Sequence, residues 1–235
     1  MINQNASLIP SEFISRAKKL GTAELCDAIK ALELNIPNSG CMDSEINAVC
    51  DTMHVVGTAL TIQTKDGDNF PIHLVCYQDN AEGYVLVVNG GGCRERAYAG
   101  DLIFAACKAV GYEGMIIDGL TRDKLGNISL GFPVWNLGFS PNSPIKMDSG
   151  HINTNIMCAG VRVCPGDLVV GDADGVCVVP REYILQVLKK AEEKKSYEEK
   201  RREIISAYVE CKATKSPRPQ LTPQWVLDLQ SNNNL

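Results

Sequence analysis

The chain has 235 residues, 45% of them hydrophobic, and a formal net charge of −5. That length and apolar share suffice for one well-buried α/β domain of about 200 residues with tails to spare. The acidic balance argues against nucleic acid as a partner, since such binders usually carry a basic excess. Met1 to Ser11 is polar and lacks the apolar core of a signal peptide. No run approaches the roughly 20 apolar residues of a membrane span, so no membrane partner and a cytoplasmic location are expected.

In chain order, residues 11–33 read as helix, with Ser11 as a plausible N-cap and Gly21 as a break before Ala23 to Leu32 resumes it. Residues 55–63 read as strand, 66–69 as a loop, and 70–80 as ambiguous, with helix one option. Tyr84 to Val88 is an apolar strand that is expected to end at Asn89-Gly90-Gly91-Gly92. Asp101 to Val110 has helical apolar spacing, and Gly111 follows as a natural C-cap. Met115 to Ile117 is a short buried strand, and Pro133-Val134-Trp135 opens another extended segment. Residues 161–180 read as a hairpin turning at Asp174-Gly175. Pro180 then starts a long charged helix to about Ser206, whose Glu, Lys and Arg density suits a solvated face or a surface on a neighbouring subunit. One domain is expected over 1–210, with 211–235 as a loosely held tail.

The ten cysteines contain no C-x-x-C pair, and most lie in apolar runs such as Val75-Cys76-Tyr77 and Val176-Cys177-Val178. That pattern suits small core residues better than disulfides or zinc. Cys93, in the glycine-rich stretch, is the exception. His54, His73 and His151 lack metal-ligand spacing, and His73 and Trp135 read as packing residues.

One stretch carries chemistry. A helix from Asp101 to Val110 rises about 1.5 Å per residue and so runs roughly 15 Å from its start. A strand returning at about 3.3 Å per residue recovers that distance in about five residues, which is the length of Gly114 to Asp118. The loop 119–123 should therefore land beside the start of the 101–110 helix, although twenty residues lie between Asp101 and Arg122. A helix N-terminus receives small carboxylates. Arg122 would add a forked donor for a 2-oxo-acid carboxylate or an enolate. Asp123 is a hard oxygen ligand of the kind Mg²⁺ or Mn²⁺ accepts, and Asp101 could order or deprotonate a water. Spacing alone is served as well by a surface turn at Arg122-Asp123 and a helix cap at Asp101.

At these residues the chain resembles the family that joins 4-hydroxy-4-methyl-2-oxoglutarate aldolase with the regulator of ribonuclease activity A. The resemblance covers roughly residues 20–205. It runs through Thr22-Ala23, Asp27-Ala28, Gly57-Thr58-Ala59, Gly67-Asp68-Asn69, Leu86-Val87-Val88, Gly100-Asp101, Asp118-Gly119, Arg122-Asp123, Pro165-Gly166-Asp167 and Asp172-Ala173-Asp174-Gly175-Val176. It implies a compact α/β/β/α swivelling (phosphohistidine-like) domain, assembled as a homotrimer or homohexamer with active sites between subunits. It also implies that Gly100, Asp101, Leu102 and Ile103 grip pyruvate through backbone amides, that Arg122 binds the oxo-acid end, and that Asp123 holds the metal through waters. The implied activity is a carbon–carbon lyase, a class II pyruvate aldolase with oxaloacetate decarboxylase side activity. The regulator branch has Gly at position 101 and an acidic residue at 126, where this chain has Asp101 and Gly126.

The chain departs from the family at Trp135-Asn136-Leu137-Gly138, where members often carry Phe-Ala-Arg-Gly, and at its triple glycine with Cys93-Arg94-Glu95-Arg96. Glu198 or Glu199 of a neighbouring subunit is a candidate assisting acid, although a solvated face accounts for either. A regulator acting on an RNA-processing enzyme is the alternative. A nucleotide-binding role fits poorly, because Gly90–Gly92 is not followed by Gly-Lys-Ser/Thr and Glu95 holds the last position of a G-x-G-x-x-G pattern. No glycine fingerprint supports a methyltransferase.

Overall fold

The computed structural model describes residues 1–147 and 150–232. Its contacts cluster into two units, Met1–Ala191 and Glu192–Leu235. The first opens with α1 (Ser11–Ala17) and α2 (Thr22–Ala31), separated at Gly21 as the sequence suggests. The N-terminus of α2 is held by Asp172, whose carboxylate accepts from the Thr22 N–H and hydroxyl, both at 2.8 Å.

The sheet consists of β1 (Asn47–Ala48), β2 (Val55–Gln63), β3 (Tyr84–Ala99), β4 (Gly114–Thr121), β5 (Val134–Asn136), β6 (His151–Ile152), β9 (Leu168–Asp172) and β10 (Gly175–Val179). A separate hairpin pairs β7 (Ile156–Cys158) with β8 (Val161–Val163). The order is β1-β5-β4-β3-β2-β9-β10, with β6 beside β2. Strands β2 to β5 run parallel, while β1, β9 and β10 pair antiparallel with their neighbours. The chain at 41–48 reaches both ends of this order. Cys41 bridges to Cys177 of β10, and Asn47–Ala48 is β1, so the sheet nearly closes on itself. Trp135 on β5 spans the remaining gap, donating its indole N–H to the Asp172 carbonyl at 3.0 Å. This mixed, nearly closed α/β sheet is the fold class that the sequence implied.

Strand alternation sorts side chains into two cores. Val55, Val169, Val176 and Val178 join the larger cluster, with Trp135, Phe104 and Phe132. Val56, Leu168, Val170, Cys177 and Val179 join the smaller one, under Leu25 and Ile29 of α2 and the first turns of α6. Helix α6 (Ile184–Thr214) follows a single 3-10 turn at Arg181–Tyr183 and runs beyond the expected end.

Three sequence expectations need correction, and the ambiguous stretch 70–80 is resolved. The regular helix α3 is only Phe70–His73, although helix-like hydrogen bonds continue to Cys76. Strand β3 does not stop at the glycines. Gly91 and Gly92 take φ of +66° and +70°, the register against β4 shifts there, and pairing resumes to Ala99. The triple glycine therefore interrupts a strand instead of capping one, which removes the geometry a phosphate loop needs before a helix. The segment 161–163 pairs with β7, and the hairpin formed at Asp174-Gly175 is β9–β10 alone. The C-terminal stretch carries a helix, α7 (Gln224–Asn232).

Candidate functional site

Helix α4 (Asp101–Val110) begins and ends where its apolar spacing predicts. Gly111 closes it in the left-handed region at φ +104°, which glycine adopts at no steric cost. At its start, Gly100 is extended, and its carbonyl accepts from Ile103 and Phe104. The N–H groups ahead of these, on Asp101 and Leu102, have no intrahelical acceptor and carry the partial positive charge of a helix start.

The returning strand places its end beside this one. Ala99 of β3 is in register with Thr121 of β4, and the Arg122 N–H donates to the Ala99 carbonyl at 2.9 Å. Asp123 sits in the left-handed region at φ 57° as the N-cap of α5 (Lys124–Leu130). Its Oδ2 is 3.4 Å from the Arg122 Nε, with both side chains partly exposed. The packing leaves no room for a side chain at position 100. A Cβ there would touch the Asp123 carboxylate and lie 2.9 Å from the Arg122 Cγ. Glycine at this position is what lets the two side chains come so close.

Asp101 has a complementary neighbour. A Cβ on Gly126 would lie 2.8 Å from Asp101 Oδ2 and 3.0 Å from its Cβ. The carboxylate at 101 and the missing side chain at 126 occupy one space between α4 and α5, so an acidic residue at 126 and Asp101 would compete for it.

Gly100, Asp101, Leu102, Ile103, Arg122 and Asp123 all line one pocket of about 250 Å³. Every candidate site residue of the sequence reading except the Glu198/Glu199 pair is therefore gathered here. Glu198 makes surface pairs with Lys194 and Arg202 along α6. The same pocket is lined by residues the sequence reading did not place at a site, namely Asn69, Tyr98, Ser143 and Lys146, and by His73, which it took for packing and which is only half-buried at the pocket wall. Ser143 Oγ accepts from Arg122 Nη1 at 3.3 Å. Asn69 is buried, donates to the Tyr98 carbonyl at 2.9 Å, and leaves Oδ1 without a protein partner. Burial, then the nearby Lys146 charge, lowers the His73 pKa, and its ring meets the Tyr77 hydroxyl at 2.9 Å. Asn69 had a faint signal in Gly67-Asp68-Asn69. Ser143 and Lys146 come from an irregular stretch without one.

Tyr98 ties these parts together. Its hydroxyl accepts from the Gly67 N–H at 3.0 Å and donates to the Gly90 carbonyl at 2.7 Å. The 66–69 loop is thereby fixed against the glycine bulge of β3.

The pocket offers cations and helix N–H groups to an anion, and hard carboxylate oxygens to a cation. Among the described residues, no three His, Cys, Asp or Glu side chains are grouped to enclose a metal ion. The two carboxylates of the pocket, Asp101 and Asp123, are hard oxygen donors, the type that ions such as Mg²⁺ accept. Trp135 is fully buried, as packing requires. No helix among the described residues is long and apolar enough to cross a membrane.

Residues 22–178 match the family model described as RraA-like, Aldolase/RraA. A Halalkalibacterium halodurans protein named "Putative 4-hydroxy-4-methyl-2-oxoglutarate aldolase" is 35% identical over 195 residues, which cover 83% of this chain and 89% of that one. The crystal structure of Streptomyces coelicolor RraAS2, titled an unusual member of the RNase ES inhibitor RraA protein family, is 26% identical. It aligns with a TM-score of 0.73 over 84% of this chain and 98% of its own. A Geobacillus kaustophilus structure titled as an S-adenosylmethionine:2-dimethylmenaquinone methyltransferase is 28% identical, with a TM-score of 0.61 over 69% of this chain and 96% of its own.

Proposed function

Since the chain belongs to the RraA-like Aldolase/RraA family, we propose that it is a divalent-metal-dependent class II aldolase that cleaves a 4-hydroxy-2-oxo acid to pyruvate, with oxaloacetate decarboxylation as a side activity. One observation carries this reading. The N-terminus of α4, the Arg122 guanidinium and the Asp101 and Asp123 carboxylates converge on a single pocket.

In the proposed reaction the substrate carboxylate rests on the N–H groups of Asp101 and Leu102, with Arg122 on the 2-oxo-acid end. Asp123 would hold Mg²⁺ or Mn²⁺, with Asp101 beside it. The bound ion would supply Lewis-acid polarisation of the 2-oxo group. Asp101 orders a water that takes the proton of the C4 hydroxyl, and the C3–C4 bond breaks. Its electrons pass into pyruvate enolate, whose oxygen faces Arg122, and the proton taken from the hydroxyl returns to C3 to give pyruvate. Stabilising that developing charge is the largest catalytic contribution expected of the site. Loss of CO₂ from oxaloacetate gives the same enolate, so both substrates call on the same groups. The Arg122 guanidinium, with a bound ion, would take the place of the buried lysine that a Schiff-base route needs.

The working form is proposed to be a homotrimer or homohexamer. Leu102, at the pocket rim, is 80% exposed, as is Leu125 on α5, and a neighbouring subunit would cover both and close the pocket. The regulator reading is favoured by the likeness to RraAS2, but Asp101 fitted against Gly126 supports the enzyme.

A panel of 4-hydroxy-2-oxo acids and oxaloacetate, coupled to pyruvate detection with Mg²⁺ or with EDTA, tests the proposal. Metal-dependent pyruvate release is expected. Full activity in EDTA would remove the metal from the mechanism. Capture of an RNA-processing enzyme without any pyruvate release would transfer the chain to the regulator class.

A further inference from the structure

Two cations line the pocket, and the proposed reaction uses only one of them. Arg122 has a carboxylate beside it, Asp123 Oδ2 at 3.4 Å from its Nε. Lys146 lines the same pocket, and among the described residues no carboxylate pairs with it. His73 is the remaining basic group of the lining. Burial, then the Lys146 charge, lowers its pKa from the ordinary 6.5, so it is neutral above about pH 7. Lys146 is thus the one lining charge left without a task.

The side chain of Lys146 is exposed, yet its backbone is fixed on both flanks. Asp68 and Ile145 form a parallel bridge. The Ile145 N–H donates to the Gly67 carbonyl, and the Ile145 carbonyl accepts from the Asn69 N–H, both at 3.0 Å. On the other side the Met147 N–H donates to Asp68 Oδ2 at 3.1 Å. Asp68 is itself buried, and the Gly67 N–H is held by the Tyr98 hydroxyl at 3.0 Å. A lysine anchored in this way loses less freedom on meeting an anion than one on a free loop. Ser143, three residues earlier, accepts from Arg122 Nη1 at 3.3 Å. Three residues span at most about 11 Å, and a lysine stem adds four carbons of reach. Arg122 and Lys146 are therefore close enough to take the two ends of one five-carbon diacid.

We propose that Lys146 is a specificity-determining residue, which holds a second carboxylate at the end of the substrate away from the 2-oxo group. The pocket then prefers 4-hydroxy-2-oxo diacids to monoacids of the same length. This inference rests on the pocket being a 2-oxo-acid site, and it adds a preference that the bond cleavage itself does not require. Cleavage of 4-hydroxy-2-oxoglutarate between C3 and C4 gives pyruvate and glyoxylate, so the second carboxylate leaves with the aldehyde. Cleavage of 4-hydroxy-2-oxopentanoate gives pyruvate and acetaldehyde by the same steps, with a methyl group where Lys146 finds no partner. Because Lys146 is exposed, its charge is screened by water, and the preference it contributes is about fivefold.

The test uses the full chain and two matched pairs that differ only in carboxylate for methyl. Turnover is measured with 4-hydroxy-2-oxoglutarate and 4-hydroxy-2-oxopentanoate. Binding is measured by calorimetry with 2-oxoglutarate and 2-oxopentanoate, which lack the hydroxyl and are not cleaved. The wild type is expected to favour the diacid of each pair, in kcat/KM and in Kd. Lys146→Gln should lower both ratios about fivefold, Lys146→Arg should restore them, and Lys146→Glu should turn the preference toward the monoacid. A lysine that only supports the fold would change both members of a pair alike and leave the ratio where it was. Unchanged ratios in Lys146→Gln, a wild type without a diacid preference, or no binding of either 2-oxo acid would overturn the proposal. If neither hydroxy acid releases pyruvate, the aldolase reading fails, and the binding ratios alone then uphold or overturn the role of Lys146.

Discussion

Gly126→Ala perturbs the position of Asp101 without removing a charged group. Position 126 lies inside α5, where alanine is intrinsically favoured over glycine by about 1 kcal/mol. The added Cβ would sit 2.8 Å from Asp101 Oδ2, about 0.6 Å inside the 3.4 Å at which ordinary contact begins. It would also press on the Asp101 Cβ at 3.0 Å, which is anchored to the α4 backbone. The carboxylate must therefore turn or α4 and α5 must separate by a few tenths of an ångström. A displacement of about 1 Å in a catalytic group costs about a hundredfold in rate, so roughly tenfold is expected from this one. The assay is steady-state pyruvate release beside thermal unfolding of the same preparation. The expected pattern is kcat/KM lowered about tenfold, or about 1.4 kcal/mol, with a melting midpoint unchanged or higher. Unchanged kcat/KM would refute the claim that Asp101 works from the position Gly126 leaves open. A collapse of stability would show that the contact is tight for reasons of folding alone.

Three other outcomes follow from the same geometry. Asp101→Gly should remove turnover while leaving the fold intact by circular dichroism, and retained turnover would reduce Asp101 to a helix cap. Trp135→Ala should cost about 3–5 kcal/mol in urea unfolding, because it empties the space against Gly171 and breaks the bond to Asp172; a loss below about 1 kcal/mol would deny it a role in closing the sheet. His73 gives a pH signature. Burial lowers its folded pKa below the ordinary 6.5, so the unfolded chain takes up this proton first. Its contribution to stability is present above about pH 6.5 and is lost as pH falls through the lowered folded value. Denaturation from about pH 7.5 to 5 should show an acid loss that His73→Gln reduces, and parallel curves would contradict the shift.

What could be read from the sequence is what local patterning controls. Helix α4 was legible because its apolar spacing ends on a glycine that takes the left-handed cap. Strand β2 was legible because seven of its nine residues are apolar or β-branched. The meeting of Asp101 with Arg122 followed from arithmetic on rise per residue, and the Ala99–Thr121 register satisfies it. The second half of β3 was hidden, because three glycines mimic a strand end and Arg94, Glu95 and Arg96 carry no core signal. Its continuation depends on register shifts against β4. Ser143 and Lys146 reach the pocket on an irregular segment held by the 66–69 loop, including the Asn69 N–H to Ile145 carbonyl bond at 3.0 Å. No periodicity announces such a contact. The Asp101–Gly126 fit was visible only as two residue identities until packing gave it a reason.

Wild-type protein and Arg122→Ala, assayed side by side for Mg²⁺-dependent pyruvate release from 4-hydroxy-4-methyl-2-oxoglutarate, test the central claim most directly. Robust release by the wild type and a loss of roughly 10²- to 10³-fold in kcat for the variant are expected if the guanidinium stabilises the enolate. Equal rates for the two proteins, or no release by the wild type from any 4-hydroxy-2-oxo acid, would contradict the account.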